Sequence, residues 1–258
     1  MLRAVDSTKG EMERFKETLF AALRCALSRA HQQSENGNHS TLGKFLMGQT
    51  DELVGSPVAE SDGFVVDLSL RFSEILRSTQ VLNDIVVYLK RFPPGISRSR
   101  YLNYHVRSYL QEMYILRERL NALLKKYERW NSPLAPNSDT FTTLSDGRNL
   151  IAKAFDRIVD VRGGDVHHRQ FSDPELERLE GWEGLVEGGV DPGKEWMTKA
   201  YEDQIKTARE RWMTQIETNN ATIAQVLDVV FDSLFGMTFA ANGEVIIPKS
   251  YRPPRGRE

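Results

Sequence analysis

The chain has 258 residues, 40% of them hydrophobic and 27% charged, with 34 Lys and Arg against 36 Asp and Glu for a net charge of −2. This is enough length and apolar content for a substantial core, and the missing basic excess excludes a protein that grips nucleic acid mainly by neutralising phosphates over its whole surface. The single cysteine, Cys25, excludes an internal disulfide; with Ala22, Leu23, Ala26 and Leu27 around it, it is expected to be a buried small hydrophobe.

Helical periodicity dominates the chain. From Ser7 to about Gln33, Phe15, Leu19, Ala22, Leu23, Ala26 and Ala30 recur at three- and four-residue intervals, the spacing of one helix face. Residues 34–63 are rich in Gly, Ser and Asn and are expected to form a long loop. A second helix is expected from near Asp67 to Arg91, stopped by Phe92-Pro93-Pro94-Gly95, because proline lacks the donor that helix continuation needs. Ser97 can cap a third, whose stripe runs from Val106 through Tyr109, Leu110, Met113, Leu116, Leu120, Leu123, Leu124 and Tyr127 to Trp130.

A fourth helix is expected from about Thr140 to Val161, ending at Gly163-Gly164. Asp173-Pro174-Glu175 and Asp191-Pro192 each place a capping carboxylate before a proline in the first helical turn, so two further helices restart there. The last carries Met197, Tyr201, Ile205, Ala208, Trp212 and Ile216, then Ile223, Leu227, Val230 and Leu234, and the polar run Glu217 to Asn220 between them reads equally as a kink or a break. Residues 1–235 are thus expected to form a single helical domain, and 236–258 a C-terminal segment with a short strand and a basic, flexible, partly disordered tail. The fold class is all-α. No charge-free apolar run reaches the length of a membrane span, and the N-terminus lacks the pattern of a secretory signal; a cytoplasmic location and no membrane partner are expected.

No Gly-rich phosphate loop, paired-cysteine metal site, HExxH or nucleophile elbow occurs, so neither a metal nor another cofactor is expected. What remains is a cluster around the Gly163-Gly164 break: Arg162, Asp165, His167, His168 and Arg169. Polar groups at a helix break can converge on a ligand, because backbone and side chains are both accessible there.

Arg162-x4-His167 resembles the Arg-x4–6-His motif of the HEPN superfamily. The order of elements is similar too: the aromatic-rich helix of residues 101–127 lies upstream and a short acidic helix from Asp173 to Leu179 follows, so that the likeness covers about residues 70–235. The same loose spacing recurs at Arg24–His31, Arg100–His105 and Arg162–His168, but only Arg162–His167 ends a helix late in the bundle. Where the family commonly has a polar residue after the arginine, this chain has Gly163. The resemblance implies an up-and-down helical bundle, a homodimer, and metal-independent cleavage or binding of RNA in a toxin–antitoxin or defence setting, with an antitoxin or defence-system protein as a further partner. In that reading His167 is the base, Arg162 stabilises the phosphorane, and Asp165 or His168 orients the base. A catalytically inactive helical dimerisation or interaction module is the alternative.

Arg98, Arg100, Tyr101, Tyr104, His105 and Arg107 mix cations with aromatics as single-stranded RNA sites do. Arg100, Tyr104, His105, Arg107 and Arg169 are therefore candidate RNA-binding residues, although Tyr101 and Tyr104 also read as partly buried and the arginines as a solvated face. Trp182, Trp196 and Trp212 are expected in the core, and the basic run Lys249 to Arg257 in a charged terminus.

Overall fold

The computed structural model describes residues 10–35, 60–132, 138–163, 173–188 and 194–252. Among these residues the protein is all-α, with six helices: α1 (Glu11–Glu35), α2 (Glu60–Leu89), α3 (Arg98–Trp130), α4 (Asp139–Gly163), α5 (Pro174–Glu187) and α6 (Lys194–Thr238). Two compact units share them. The first takes residues 1–75, 119–150 and 226–258, the second residues 76–118 and 151–225, so α2, α3, α4 and α6 each supply residues to both.

In the first unit the core is built on rings. Phe15 of α1 lies 5.3 Å from Phe72 of α2, 5.0 Å from Phe231 of α6 and 5.5 Å from Phe239 just beyond it. Tilted and edge-on rings at this spacing add directional attraction to the burial of large apolar surfaces. A second group joins Phe64, Trp130 and Tyr251, with centroids 5.0 to 5.8 Å apart. The α1 start needs a glycine: Met12 N–H donates to Asp228 Oδ1 at 3.0 Å, and a Cβ on Gly10 would meet that carboxylate at 2.7 Å.

Residues 236–252, expected in the C-terminal segment, pack on this core. The α6 helix runs to Thr238, whose hydroxyl lies 2.6 Å from the buried Tyr127 hydroxyl and donates to Leu234 O. A tight turn at Gly243, with φ of +81°, brings Val245 back against Phe239 in one antiparallel bridge. Tyr251 is then fully buried.

In the second unit Leu82, Ile85, Leu89, Leu102, Val106, Tyr109, Phe155, Leu176, Ile205 and Ala208 are buried, the faces that helical spacing assigns inward. The polar run at Glu217 to Asn220 neither breaks nor ends α6. Asn220 accepts from the Tyr109 hydroxyl at 3.3 Å and donates to Leu82 O and Asn83 Oδ1 at the same distance, so a polar side chain is satisfied where the stripe is interrupted.

Three expectations are corrected. The α2 helix begins at Glu60, seven residues before Asp67, because Asp62 pairs with Arg29 at 2.5 Å and Phe64 is buried against Trp130. Cys25 is exposed, since α1 turns Ala26 inward against Val66 instead. Trp196 is exposed rather than core, and Trp182 and Trp212 are only half-buried. One helix, Glu195–Thr238, passes the length and composition test for crossing a membrane, with a stretch of mean hydropathy 1.3. Its Val226, Leu227, Val230, Phe231 and Leu234 are buried in the first unit's core.

Replacing Tyr251 with alanine removes a ring enclosed by Phe64 and Trp130 and is expected to cost about 3 kcal/mol or more. Urea unfolding measures it; a loss below about 0.5 kcal/mol, the range of a surface position, would detach this segment from the core.

Candidate functional site

The site the structure does assemble lies at one end of the second unit, where α2 turns into α3. From Ile85 to Gln111 the sequence contains no Asp or Glu, against Lys90, Arg91, Arg98, Arg100 and Arg107. Two of these, Arg98 and Arg100, stand in the first turn of α3, which has no acidic residue of its own. Cations there oppose the partial positive charge of a helix N-terminus. The arrangement therefore needs a negative group from elsewhere.

Glu183 of α5 supplies it. Its carboxylate accepts from Ser97 Oγ at 2.5 Å, from Arg98 N–H at 2.8 Å, from Ser99 N–H at 3.3 Å and from the Ser99 hydroxyl. Burial alone would push this carboxyl up, but the hydrogen bonds from Ser97, Ser99 and the Arg98 amide outweigh it and hold it below its ordinary value of 4.5. Ser97 also accepts from Arg100 N–H at 3.3 Å, the capping role its position indicates. Around this anchor, the Arg98 guanidinium pairs with Glu202 at 2.5 Å and Asn103 donates to Glu180 at 2.6 Å.

Beside the anchor sits a chain of rings. Phe92 lies 6.0 Å from Tyr101, and Tyr101 4.3 Å from His105. Tyr88 and Tyr104 stand 5.3 and 5.2 Å from the same imidazole. His105 is only 8% exposed, whereas Tyr88 is 49% and Tyr104 66% exposed. The buried imidazole thus supports two rings that face water. Burial lowers the His105 pKa from 6.5, so the support is uncharged at neutral pH. Arg209 of α6 reaches over Phe92 at 5.3 Å, and Arg100 and Arg91 are exposed. An uncharged aromatic shelf with guanidinium groups over its Phe92 end can hold a flat ring by stacking.

Of the candidate RNA-binding residues, Arg100, Tyr104, His105 and Arg107 are therefore all on α3, with His105 beneath the surface instead of on it. The Tyr104 side chain is exposed, not partly buried. Arg107 is half-buried, and its Nε is enclosed with no hydrogen-bond partner among the described residues. Sequence reasoning missed Tyr88, Phe92, Lys90, Arg91 and Arg209; the acid-free window from Ile85 to Gln111 was the available signal for all but Arg209.

The residues of the motif are placed only in part. Arg162 is in the last turn of α4, its side chain outside the described residues, and Asp165, His167, His168 and Arg169 lie outside them altogether. Only residues 131–138 separate α3 from α4, a connection that makes neighbouring helices antiparallel, and Arg117 of α3 pairs with Asp156 of α4 at 3.2 Å. At 1.5 Å per residue, the α4 turn holding Arg162 is level with about residues 110–113 of α3, roughly one turn from Arg107. Among the described residues no cluster of His, Cys, Asp and Glu could hold a metal ion.

The class defined here is an all-α protein of six packed helices among the described residues. No protein-family model, no curated protein and no solved structure matches the chain.

Two pH effects follow. A depressed Glu183 pKa means stability that is complete above pH 4.5 and lost as pH falls through the lower folded-state value. Glu183→Gln should cost roughly 1–3 kcal/mol at neutral pH and flatten that acid loss in urea titrations. The depressed His105 pKa has the same sign, its contribution being complete above pH 6.5 and falling as the unfolded chain takes the proton first. An NMR titration of the imidazole should place its midpoint below 6.5, and a midpoint above that would contradict its burial.

Proposed function

We propose that this protein is a HEPN-like, RNA-acting protein of the cytoplasm that works as a homodimer without a metal, either cutting RNA or binding it. The observation that carries the reading is the shelf of Tyr88 and Tyr104 on a buried, neutral His105, with the exposed Arg91 and Arg100 near them in the sequence. It meets the requirement set by the net charge of −2, that any RNA contact be local. Supporting it, the order of helices agrees with the one the resemblance implies, and Arg162 stands at the end of α4 as the motif requires.

In the cleavage reading His167 takes the proton of a ribose 2′-hydroxyl, and that oxygen attacks the adjacent phosphorus. The 5′-oxygen of the next nucleotide leaves and is protonated, giving a 2′,3′-cyclic phosphate and a 5′-hydroxyl end. Arg162, permanently charged and able to bind two oxygens at once, stabilises the phosphorane. Asp165 or His168 orients the base, Arg169 and Arg107 add positive charge, and the shelf holds unpaired bases by stacking. An antitoxin or other defence-system protein is the partner expected for such an activity.

The test is cleavage of mixed RNA in EDTA by wild type, His167→Ala, Arg162→Ala and Tyr104→Ala. Loss of cyclic-phosphate products in the first two variants, and roughly tenfold weaker RNA binding in the third, is the expected outcome. RNA binding without cleavage would leave a non-catalytic RNA-binding protein. A folded dimer that neither binds nor cuts RNA would instead favour the helical interaction module.

A further inference from the structure

The N-terminus of α3 holds more hydrogen-bond donors than its present occupant can use. The Ser97 hydroxyl, the Ser99 hydroxyl and the Ser99 amide all converge on Oε2 of Glu183, and only the Arg98 amide goes to Oε1. An ionised carboxylate has about two lone-pair sites on each oxygen, so Oε2 is overloaded. A further donor is left out. Tyr201 of α6 is only 5% exposed, and its hydroxyl is enclosed without a hydrogen bond of ordinary geometry. Burial first, and then the Glu183 carboxylate, raise its pKa, which places this hydroxyl against the same anion and keeps it protonated.

An enclosed donor without an acceptor costs roughly 1–3 kcal/mol, and here it stands beside an acceptor of the wrong shape. The two oxygens of a carboxylate share one plane, whereas these donors come from a helix end and from a second helix. A phosphate monoester offers three terminal oxygens in a tetrahedral array and up to two negative charges. It can accept from all of these groups, and its charge suits a helix N-terminus with Arg98 and Arg100 in the first turn and no acid. Two other carboxylates of this end, Glu180 and Glu202, are held by Asn103 and by the Arg98 guanidinium. The position lies close to solvent, since Ser97 is half-buried and the Arg98 side chain is 42% exposed.

We propose that the N-terminus of α3 binds a dianionic phosphate group through the Ser97, Ser99 and Tyr201 hydroxyls and the Arg98 and Ser99 amides, and that Glu183 is the internal plug it displaces. The plug leaves by rotating its own side chain, while the buried Leu176 and Leu179 keep α5 in place. Plugged and bound forms exclude each other, so the apparent affinity is lowered by the small fraction of molecules whose plug is out. Two sources carry this chemistry, inorganic phosphate and the terminal phosphate of an oligonucleotide, and only the second rests on the RNA reading.

Amide NMR on the full chain, following Arg98 and Ser99, reports on this site directly. Inorganic phosphate should shift both amides in wild type, and should do so at about tenfold lower concentration in Glu183→Ala, where the plug is gone. Tyr201→Phe keeps the ring and removes the unused donor; it should weaken phosphate binding about tenfold. Acetate, which offers no more acceptor sites than Glu183 does, should move the amides less than phosphate at equal concentration. Circular dichroism checks that each variant is folded, and because Glu183→Ala removes the anchor of α3, the Tyr201→Phe and acetate comparisons stand without it. Tighter binding of a 5′-phosphorylated oligonucleotide, with its 5′-hydroxyl counterpart silent at these amides, assigns the site to nucleic-acid ends; no gain over inorganic phosphate assigns it to phosphate itself. The proposal is overturned if phosphate leaves both amides unmoved in wild type, if Tyr201→Phe binds phosphate like wild type, or if acetate matches phosphate.

Discussion

The start of α3 depends on one buried carboxylate. Glu183 enters the N-terminus of α3 and accepts from two hydroxyls and two backbone amides there. Without an anion, that helix end would present free N–H groups next to Arg98 and Arg100, and both the dipole and the guanidinium charges would favour unwinding. With the carboxylate in place the first turn is held, and the side chains it carries, from Arg98 to His105, keep their positions. The anchor also ties α5 to α3, assisted by Asn103 and Glu180 at 2.6 Å. One interaction therefore stabilises a local fold and fixes the shelf.

The shelf follows from that constraint. A run of 3.6-residue periodicity puts Tyr101, His105 and Tyr104 on adjoining faces of α3, and the turn after α2 brings Phe92 and Tyr88 against them. Burying the imidazole removes its charge but keeps it as a flat support, so the attraction for a ligand is divided between uncharged rings and arginines at the edge. In the RNA reading proposed above, this division reconciles a local contact with an overall charge of −2. On α5, by contrast, Leu185 is exposed and Trp182 half-buried against Trp196 of α6.

Much of the architecture was legible in order. The stripe from Val106 to Trp130 became the core face of α3, α2 ended at Leu89 just before Pro93 and Pro94, and Asp173 capped α5 with its carboxylate on Glu175 N–H at 2.8 Å. Those signals are local: a periodicity, a missing donor, a side chain reaching two residues along. The misplaced elements were the ones whose local signal pointed away from their partners. Glu60 to Gly63 looks like loop because Ser, Asp and Gly punctuate helices, yet Asp62 meets Arg29 thirty-three residues away. Glu217 to Asn220 reads equally as a kink or a break, and α6 runs through it because Asn220 is satisfied by Tyr109 and Leu82.

Sequence alone determined that this chain is helical, where several helices stop, and that arginines and aromatics mix from Arg98 to Arg107, because each of these is written in the spacing of neighbouring residues. Only the tertiary structure decided that Glu183, one of five glutamates on an acidic helix, is the buried one. It alone decided that His105 supports the shelf while Tyr104 faces water, and that Trp196 lies outside the core. The reason is physical: burial, and with it the charge state of a carboxyl or an imidazole, is set by groups that pack from distant parts of the chain, and no periodicity encodes which of them will arrive.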